Sequence, residues 1–408
     1  MVIRRFVIVS ICVIVATRAK VPPFFGYWDG APNALPDHQL PHVPLLGNGR
    51  LGAAFDSNNK HRSSYPFPGS PDSIDIYLNT NSFWSCLDKD SDGCRAADPD
   101  GVAPACCSVA ALGGLSISIH QQFPDTTKFR AFQFIGNGTV LSQLVTPQGS
   151  ILSVTSTLDP NRAVILVSLS WAASGTDPAT IATSVSLWMQ GRHGADGGWN
   201  TGVPAPTSVG CASSITSSPQ PCVAGPSTQL LYASRTASTS TQSMVMPVLG
   251  ALAARIEGTV LSTAITSNVS AGTAPAVVTA VVQLVSGAAP SSVLVAEAET
   301  RGPGCTDPTP TALADVLTAN SSEISQQSSQ FFSDFWQKSS LTLPSRPRVE
   351  QLWYGALYAL AGFSSDDASV AAGGLYGPWA TMDGPNWHGD YTVCINGVHT
   401  YICIYVYI

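Results

Sequence analysis

"SILSVTSTLDPNRAVILVSLSW", Ser150 to Trp171, holds two β-prone runs separated by Asp, Pro, Asn and Arg. In the first, apolar residues alternate with Ser and Thr, and in the second β-branched residues dominate. Alternation with period two sends successive side chains to opposite faces, so each run reads as a strand with a buried side. A Pro147-Gln148-Gly149 turn precedes the pair. The same grammar recurs at "LSISI" (Leu115 to Ile119) and "AVVTAVVQLV" (Ala276 to Val285), and glycine, proline and serine punctuate the chain from about Pro22 to Thr300. So many strands bury a continuous core only by stacking two sheets. The expected class is therefore mainly β, a large antiparallel β-sandwich of super-sandwich size. Gly191 to Pro226 breaks the rhythm and is expected to be a long loop.

Composition agrees. The chain has 408 residues, 44% of them hydrophobic and only 11% charged, which is enough for two or three cores. A net charge of −7, with its 19 Lys and Arg scattered, excludes a nucleic-acid partner, because that role needs a basic stripe.

Helical periodicity takes over near residue 310. Leu313, Val316, Leu317, Ile324, Phe331, Phe332, Phe335 and Trp336 recur at spacings of three, four and seven, which predicts one amphipathic helix or two in series. Another helix is predicted after Pro347, with Leu352, Trp353, Ala356, Leu357 and Leu360 on one face.

Arg4 and Arg5 followed by the apolar run Phe6 to Ala16 and by Thr17-Arg18-Ala19 have the order of a secretory signal. Residues 1–19 are expected to be removed and the mature protein to be secreted or lumenal, with no stable membrane span after cleavage. Cysteine usage fits that route. Cys86 with Cys94 or with Cys106/Cys107, and Cys211 with Cys222, are expected loop staples. Asn137, Asn268 and Asn320 open N-glycosylation sequons. The only close Cys/His pair, Cys394 with His399, is too small a set to hold zinc, so no metal and no cofactor is expected.

Two segments carry more polar and aromatic residues than a plain core needs. The first is "PLLGNGRLGAAF" (Pro44 to Phe55), followed by "IDIYLNTNSFWS" (Ile74 to Ser85). Gly47, Gly49 and Gly52 match the spacing of a dinucleotide loop, but no apolar strand precedes them and no helix follows. A β-hairpin turn is the competing reading. The second segment is "GLYGPWATMDGPNWHGDYTVCIN" (Gly374 to Asn396). Its Trp379 and Trp387 offer flat faces of the kind that stack on sugar rings, and Asp383, Asn386, Asp390 and Asn396 offer partners for hydroxyls. The plainer reading is a Pro/Gly loop anchored by tryptophans.

Together these segments resemble glycoside hydrolase family 95, whose members carry a PLGNGRLGA stretch, then a strand ending LNEDxxWSG, then GLxGxW and a W.gDYxxNxN motif. The resemblance implies an N-terminal sandwich domain at 20–305, a helical linker at 306–344 and the start of an (α/α)6 catalytic barrel of the six-hairpin type at 345–408. It implies an inverting α-L-fucosidase-like enzyme acting on a carbohydrate substrate. Inversion needs an acid and a base roughly 6.5–9.5 Å apart on opposite faces of the sugar. In the family two asparagines of the last motif hold the attacking water. That role falls on Asn396 and on the position occupied in this chain by Cys394, whose thiol is a weak donor and acceptor. Asp390 aligns with the aspartate of that motif and Thr392 stands where the family usually has a sugar-binding histidine; these two, with Trp387 and Trp379, are the expected substrate-binding residues. No glutamate follows Glu350, where the family's acid would lie. The expectation is an incomplete and inactive fragment of such an enzyme. The alternative is a non-catalytic glycan-binding or surface β-sandwich protein.

Overall fold

The computed structural model describes residues 24–30, 35, 41–57, 73–87, 106–120, 128–189, 206–212, 229–238, 248–265, 276–302, 304–367 and 369–383. The expected signal segment, Asn268 and all residues from 384 onward lie outside them.

The first strands are β1 (Phe25–Asp29), β2 (Leu45–Gly47), β3 (Leu51–Ser57), β4 (Ser73–Thr80), β5 (Trp84–Leu87) and β6 (Cys106–Val109). Then come β7 (Gly113–Ile119), β8 (Lys128–Phe134), β9 (Thr139–Val145), β10 (Ile151–Leu158), β11 (Val164–Ala172) and β12 (Thr180–Met189). The last six are β13 (Pro206–Ala212), β14 (Gln229–Ser238), β15 (Val248–Glu257), β16 (Thr259–Ile265), β17 (Ala276–Val285) and β18 (Ser291–Arg301). They form a nine-stranded sheet, β1-β8-β9-β10-β11-β18-β15-β14-β13, a seven-stranded sheet, β16-β17-β12-β7-β4-β3-β2, and a two-stranded pair, β5-β6. All the pairings are antiparallel. The two sheets enclose one core in which Val154, Val167, Leu252 and Val295 of the larger meet Ile76, Ile117, Leu187 and Val282 of the smaller. The mainly-β sandwich expectation is met.

The opening stretch becomes β10 and β11, paired from Ile151 with Ala172 to Leu158 with Ile165. One expectation is corrected. Pro206–Ala212, inside the expected long loop, is strand β13 at one margin of the larger sheet. Surrounding glycines and prolines mask it in the sequence, and an outer strand accepts a proline that an inner one would not. Cys211 on this strand is disulfide-bonded. Its expected partner Cys222 lies outside the described residues, as do Cys94, Cys394 and Cys403. The main chain places Cys86 of β5 opposite Cys107 of β6.

Three helices follow: α1 (Thr309–Thr318), α2 (Ser321–Lys338) and α3 (Pro347–Phe363). The periodic stretch is thus two helices in series. The Asn320 side chain caps α2 by accepting from the Ser322 and Glu323 amides. Leu313 and Val316 of α1 pack on Leu294, Ala296 and Ala253, so α1 covers the outer face of the larger sheet at β14, β15 and β18. Trp336 of α2 donates its indole N–H to the Ile135 carbonyl at 2.9 Å and meets Tyr354 of α3 edge-on at 5.4 Å. This aromatic cluster joins both helices to the sandwich.

The face of α3 that periodicity picks out packs only in part, Trp353 and Leu357 lying against the aromatic cluster. Tyr354, Tyr358 and Gly362 are the buried residues of the helix. Leu352 is 73% exposed, and Trp353, Leu357 and Leu360 are half-buried. The tyrosines win because each reaches a main-chain partner. The Tyr354 hydroxyl donates to the Leu341 carbonyl at 3.1 Å, and that of Tyr358 to the Leu45 carbonyl at 3.3 Å. Of the described sequon asparagines, Asn137 and Asn320 are exposed. No helix among the described residues is long and apolar enough to cross a membrane.

Candidate functional site

The glycine-rich motif folds as a hairpin between β2 and β3, with Leu45 opposite Ala54 and Gly47 opposite Gly52. Asn48 makes the turn. Its Oδ1 accepts from the amides of Arg50 at 3.0 Å and Leu51 at 2.8 Å. Its Nδ2 donates to the carbonyls of Asp159 at 2.6 Å and Arg162 at 2.8 Å. All the capacity of the amide is thereby used, and none remains for a ligand. The phosphate-cradle alternative also fails, since the motif opens a strand and not a helix.

The three glycines have another purpose. A Cβ at Gly47 would stand 2.3 Å from the Gly362 carbonyl oxygen, one at Gly49 2.1 Å from that of Ser364, and one at Gly52 2.1 Å from that of Pro378. Gly49 also has φ of +78°, and its amide donates to the Gly362 carbonyl at 2.9 Å. The hairpin is therefore a bare backbone surface on which the end of α3 and the following 3-10 turn, Gly377–Trp379, are seated.

The second half of the motif grips the same segment. Asn79 at the end of β4 donates to the Ala380 carbonyl at 3.2 Å. Asn81 donates to the Gly49 carbonyl at 3.0 Å and to that of Phe363 at 3.1 Å, bridging hairpin and helix end. The Ser82 hydroxyl accepts from the Ala371 amide at 3.3 Å. Arg50 pairs with Asp367 on the far side of the seam. The Ser369 hydroxyl and amide, and then Arg50, hold the Asp367 carboxyl down at a pKa of about 2.

The seam ends at a buried ion pair. Arg235 of β14 and Asp383 are both 0% exposed in their side chains. They meet in two parallel hydrogen bonds, Nη1 to Oδ1 at 2.9 Å and Nη2 to Oδ2 at 2.6 Å. The Ala111 amide donates to the same carboxylate at 2.9 Å, and the Ala111 carbonyl accepts from Arg235. Such a pair is tolerated in a core because its hydrogen-bonding capacity is met. Asp383, expected among the hydroxyl-binding groups, is thus committed to anchoring the chain. The signal that could have found Arg235 is a lone arginine in the otherwise uncharged strand "QLLYASRTAS".

Trp379, expected to stack on a sugar, is 5% exposed, and its indole N–H is donated to the Leu46 carbonyl at 2.7 Å. It anchors the seam, as the plainer reading had it. Trp387, Asp390, Thr392, Cys394 and Asn396 lie outside the described residues.

Beside the seam, Ser364, Ser365, Asp366, Asp367, Val370 and Gly373 line a cavity of about 210 Å³. It is polar and holds one carboxylate kept ionised by its neighbours. Among the described residues no group of His, Cys, Asp and Glu side chains could hold a metal.

No family model matches the sequence, and no curated protein does. Similar solved structures include a bacterial glucoamylase complexed with acarbose, at 7% identity and a TM-score of 0.40, covering 83% of this chain and 44% of that one. Another, described as a kojibiose phosphorylase from the human microbiome, has 12% identity and a TM-score of 0.40, covering 90% of this chain and 43% of that one. A family GH92 α-mannosidase from Bacteroides thetaiotaomicron has 8% identity and a TM-score of 0.33, covering 80% and 39%. The chain spans less than half the length of each.

Proposed function

We propose that this chain is the sandwich and barrel entrance of a secreted, inverting glycoside hydrolase resembling the α-L-fucosidases of family 95. The observation that carries the reading is the convergence of two stretches some 300 residues apart. Gly52 and Asn79 meet Pro378 and Ala380 of the second stretch, and Gly47, Gly49 and Asn81 meet the end of α3 that leads into it. Two matches to one family's motifs that merely coincided in sequence would have no reason to meet in space. In this fold they form one seam, and the Arg235–Asp383 pair fixes its end at Asp383.

Two further observations favour it. The apolar face of α3 at Leu352, Trp353 and Leu357 remains open or half-open, as suits a helix that begins a helical layer. Cys211 is disulfide-bonded, which suits an oxidising compartment reached through a cleaved segment at residues 1–19. The domains under this reading are the sandwich at 20–305, the linker at 306–344 and the barrel entrance at 345–408.

In this reading Asp390, Trp387 and Thr392 hold the sugar, and Asn396 with Cys394 faces the attacking water. Trp379 supports them from behind by fixing the 3-10 turn. Residues 351–408 contain no glutamate, so in this reading the glutamate acid of the inverting pair is not among them. The test uses the purified chain and the product of its complete transcript, each with an aryl α-L-fucoside followed by proton NMR. The expected result is no turnover by the 408 residues, and release by the longer product of the β-anomer first. Turnover by the 408 residues, release of the α-anomer first, or a longer product that cleaves other glycosides but no α-L-fucoside would each overturn it.

A further inference from the structure

We propose that the outer face of strands β1 and β8 to β11 is a second glycan-binding surface, one that holds a neutral polysaccharide chain without cleaving it. Phe25, Tyr27, Phe132 and Phe134 stand on that face in a two-by-two array. Their registers pair Phe25 with Phe134 and Tyr27 with Phe132. The Phe132 and Phe134 rings lie 6.3 Å apart and only 13° from parallel, and Tyr27 sits 5.0 Å from Phe132. Phe25 is 52% exposed, Tyr27 49% and Phe134 37%. Hydrophobic residues exposed singly are ordinary, but four contiguous rings on a regular sheet mark a binding surface.

The rest of the face identifies the occupant. Continuing the Tyr27–Phe132 row across the sheet, the registers reach Leu141, Thr155 and Ser168, all half-exposed. The next row brings Gln143 and Ser153, hydrogen-bonded to each other at 3.1 Å, and then Ser170. Across five strands the face runs about 19 Å at the usual strand spacing, long enough for several consecutive sugar rings. At the β8–β9 turn it ends against α2, where the Phe332 ring stands over Gly138.

An aromatic platform leading into neutral hydroxyls and an amide is complementary to a pyranose chain. Its C–H faces lie on the electron-rich ring faces while its hydroxyls meet Thr, Ser and Gln. Charge selects further. Among the described residues of this face, Arg130 in the second row is answered by Asp29 at 3.6 Å and only Lys128 at the margin adds to it, too little positive charge to recruit a polyanion. A protein partner or lipid would have to strip water from the hydroxyl rows. This inference does not rest on the tail chemistry proposed above, because none of its residues belongs to the seam.

The test is native affinity electrophoresis of the full chain in gels containing hydroxyethylcellulose, xyloglucan or galactomannan, with polygalacturonate as the anionic comparison. Retardation by at least one neutral polymer is expected, weakened at least tenfold in Tyr27→Ala/Phe132→Ala and retained in Phe132→Tyr. Should the double variant misfold, hydrogen exchange of the unaltered chain decides, with protection by the neutral polymer that retards it expected at residues 25–29 and 128–134. The proposal is overturned if no neutral polymer retards the chain or if polygalacturonate binds more tightly. It is equally overturned if protection falls elsewhere, if a folded double variant binds undiminished, or if sedimentation shows a dimer that this variant abolishes.

Discussion

The α-carbon of Gly49 faces the main-chain carbonyl of Ser364 so closely that a Cβ there would stand 2.1 Å from the oxygen. The same glycine has φ of +78°, so a side chain would add strain to the clash. Gly287 has a similar φ of +75° with nothing within 4 Å, and it isolates the strain alone. Gly287→Ala is expected to cost roughly 1–2 kcal/mol. Gly49→Ala adds overpacking of about 1–3 kcal/mol to that strain. Urea unfolding followed by tryptophan fluorescence would show the difference. Equal losses at the two positions would mean that the hairpin does not seat the helix end.

The buried Arg235–Asp383 pair gives a second expectation. Removing one partner leaves the other charged and without its counterion in a site that water does not reach, so Arg235→Met should cost about 3–5 kcal/mol. Replacing both, as Arg235→Met with Asp383→Leu, should recover part of that loss, because the desolvation penalty disappears with the charges while the Ala111 amide and carbonyl lose these partners. A double-mutant cycle on chemical denaturation measures the coupling. Limited proteolysis adds a local readout: cleavage beyond residue 383 should accelerate in the single variant before the sandwich itself unfolds.

How far the sequence could be read depended on whether the signal was local. Strand alternation is a local property, so β10, β11 and β17 were legible almost to the residue, as was the switch to helices near residue 310. The short strand β13 was hidden by its own proline and glycine. The packed face of α3 was only partly legible because Tyr354 and Tyr358 score as less apolar than Leu352, yet their hydroxyls find carbonyls that no periodicity reveals. In the candidate site, the glycine spacing announced a special backbone without saying what approached it. Only the fold brings Gly362, Ser364 and Pro378 against it. Trp379 illustrates the converse, since a tryptophan among glycines looks the same in sequence whether it stacks on a ligand or anchors a turn.

Asp367 predicts behaviour in acid. Its carboxyl is lowered to about 2, first by the Ser369 hydroxyl and amide and then by Arg50. A carboxylate so depressed contributes stability that is present above its ordinary value of about 3.9 and is lost as pH falls through the lowered one. The loop from Ser364 to Gly373 should therefore loosen between about pH 4 and pH 2, before any change near neutrality. Carboxyl-carbon NMR titration should find the midpoint raised both in Ser369→Ala and in Arg50→Ala. An unmoved midpoint in both variants would mean that neither the Ser369 hydroxyl nor the guanidinium holds the carboxyl down.

Glu297 predicts the opposite limb. It lies in β18 opposite Leu252, 6% exposed, with no partner for its Oε1 among the described residues. Burial first, then Glu299 of the same strand and Asp315 of α1, push its carboxyl well up, while Arg301 pulls it down. A carboxyl raised in this way contributes stability that is complete below its ordinary value of about 4.3 and is lost as pH rises through the raised one. Glu297→Gln keeps the shape and stays neutral at every pH. The variant and the parent chain should therefore melt together in mild acid, and the variant should melt progressively higher as the buffer is made alkaline. A thermal melting series from acid to alkaline pH checks this. Parallel curves would mean that Glu297 finds a counter-charge in the segments adjoining β18, and that its proton is not held by burial.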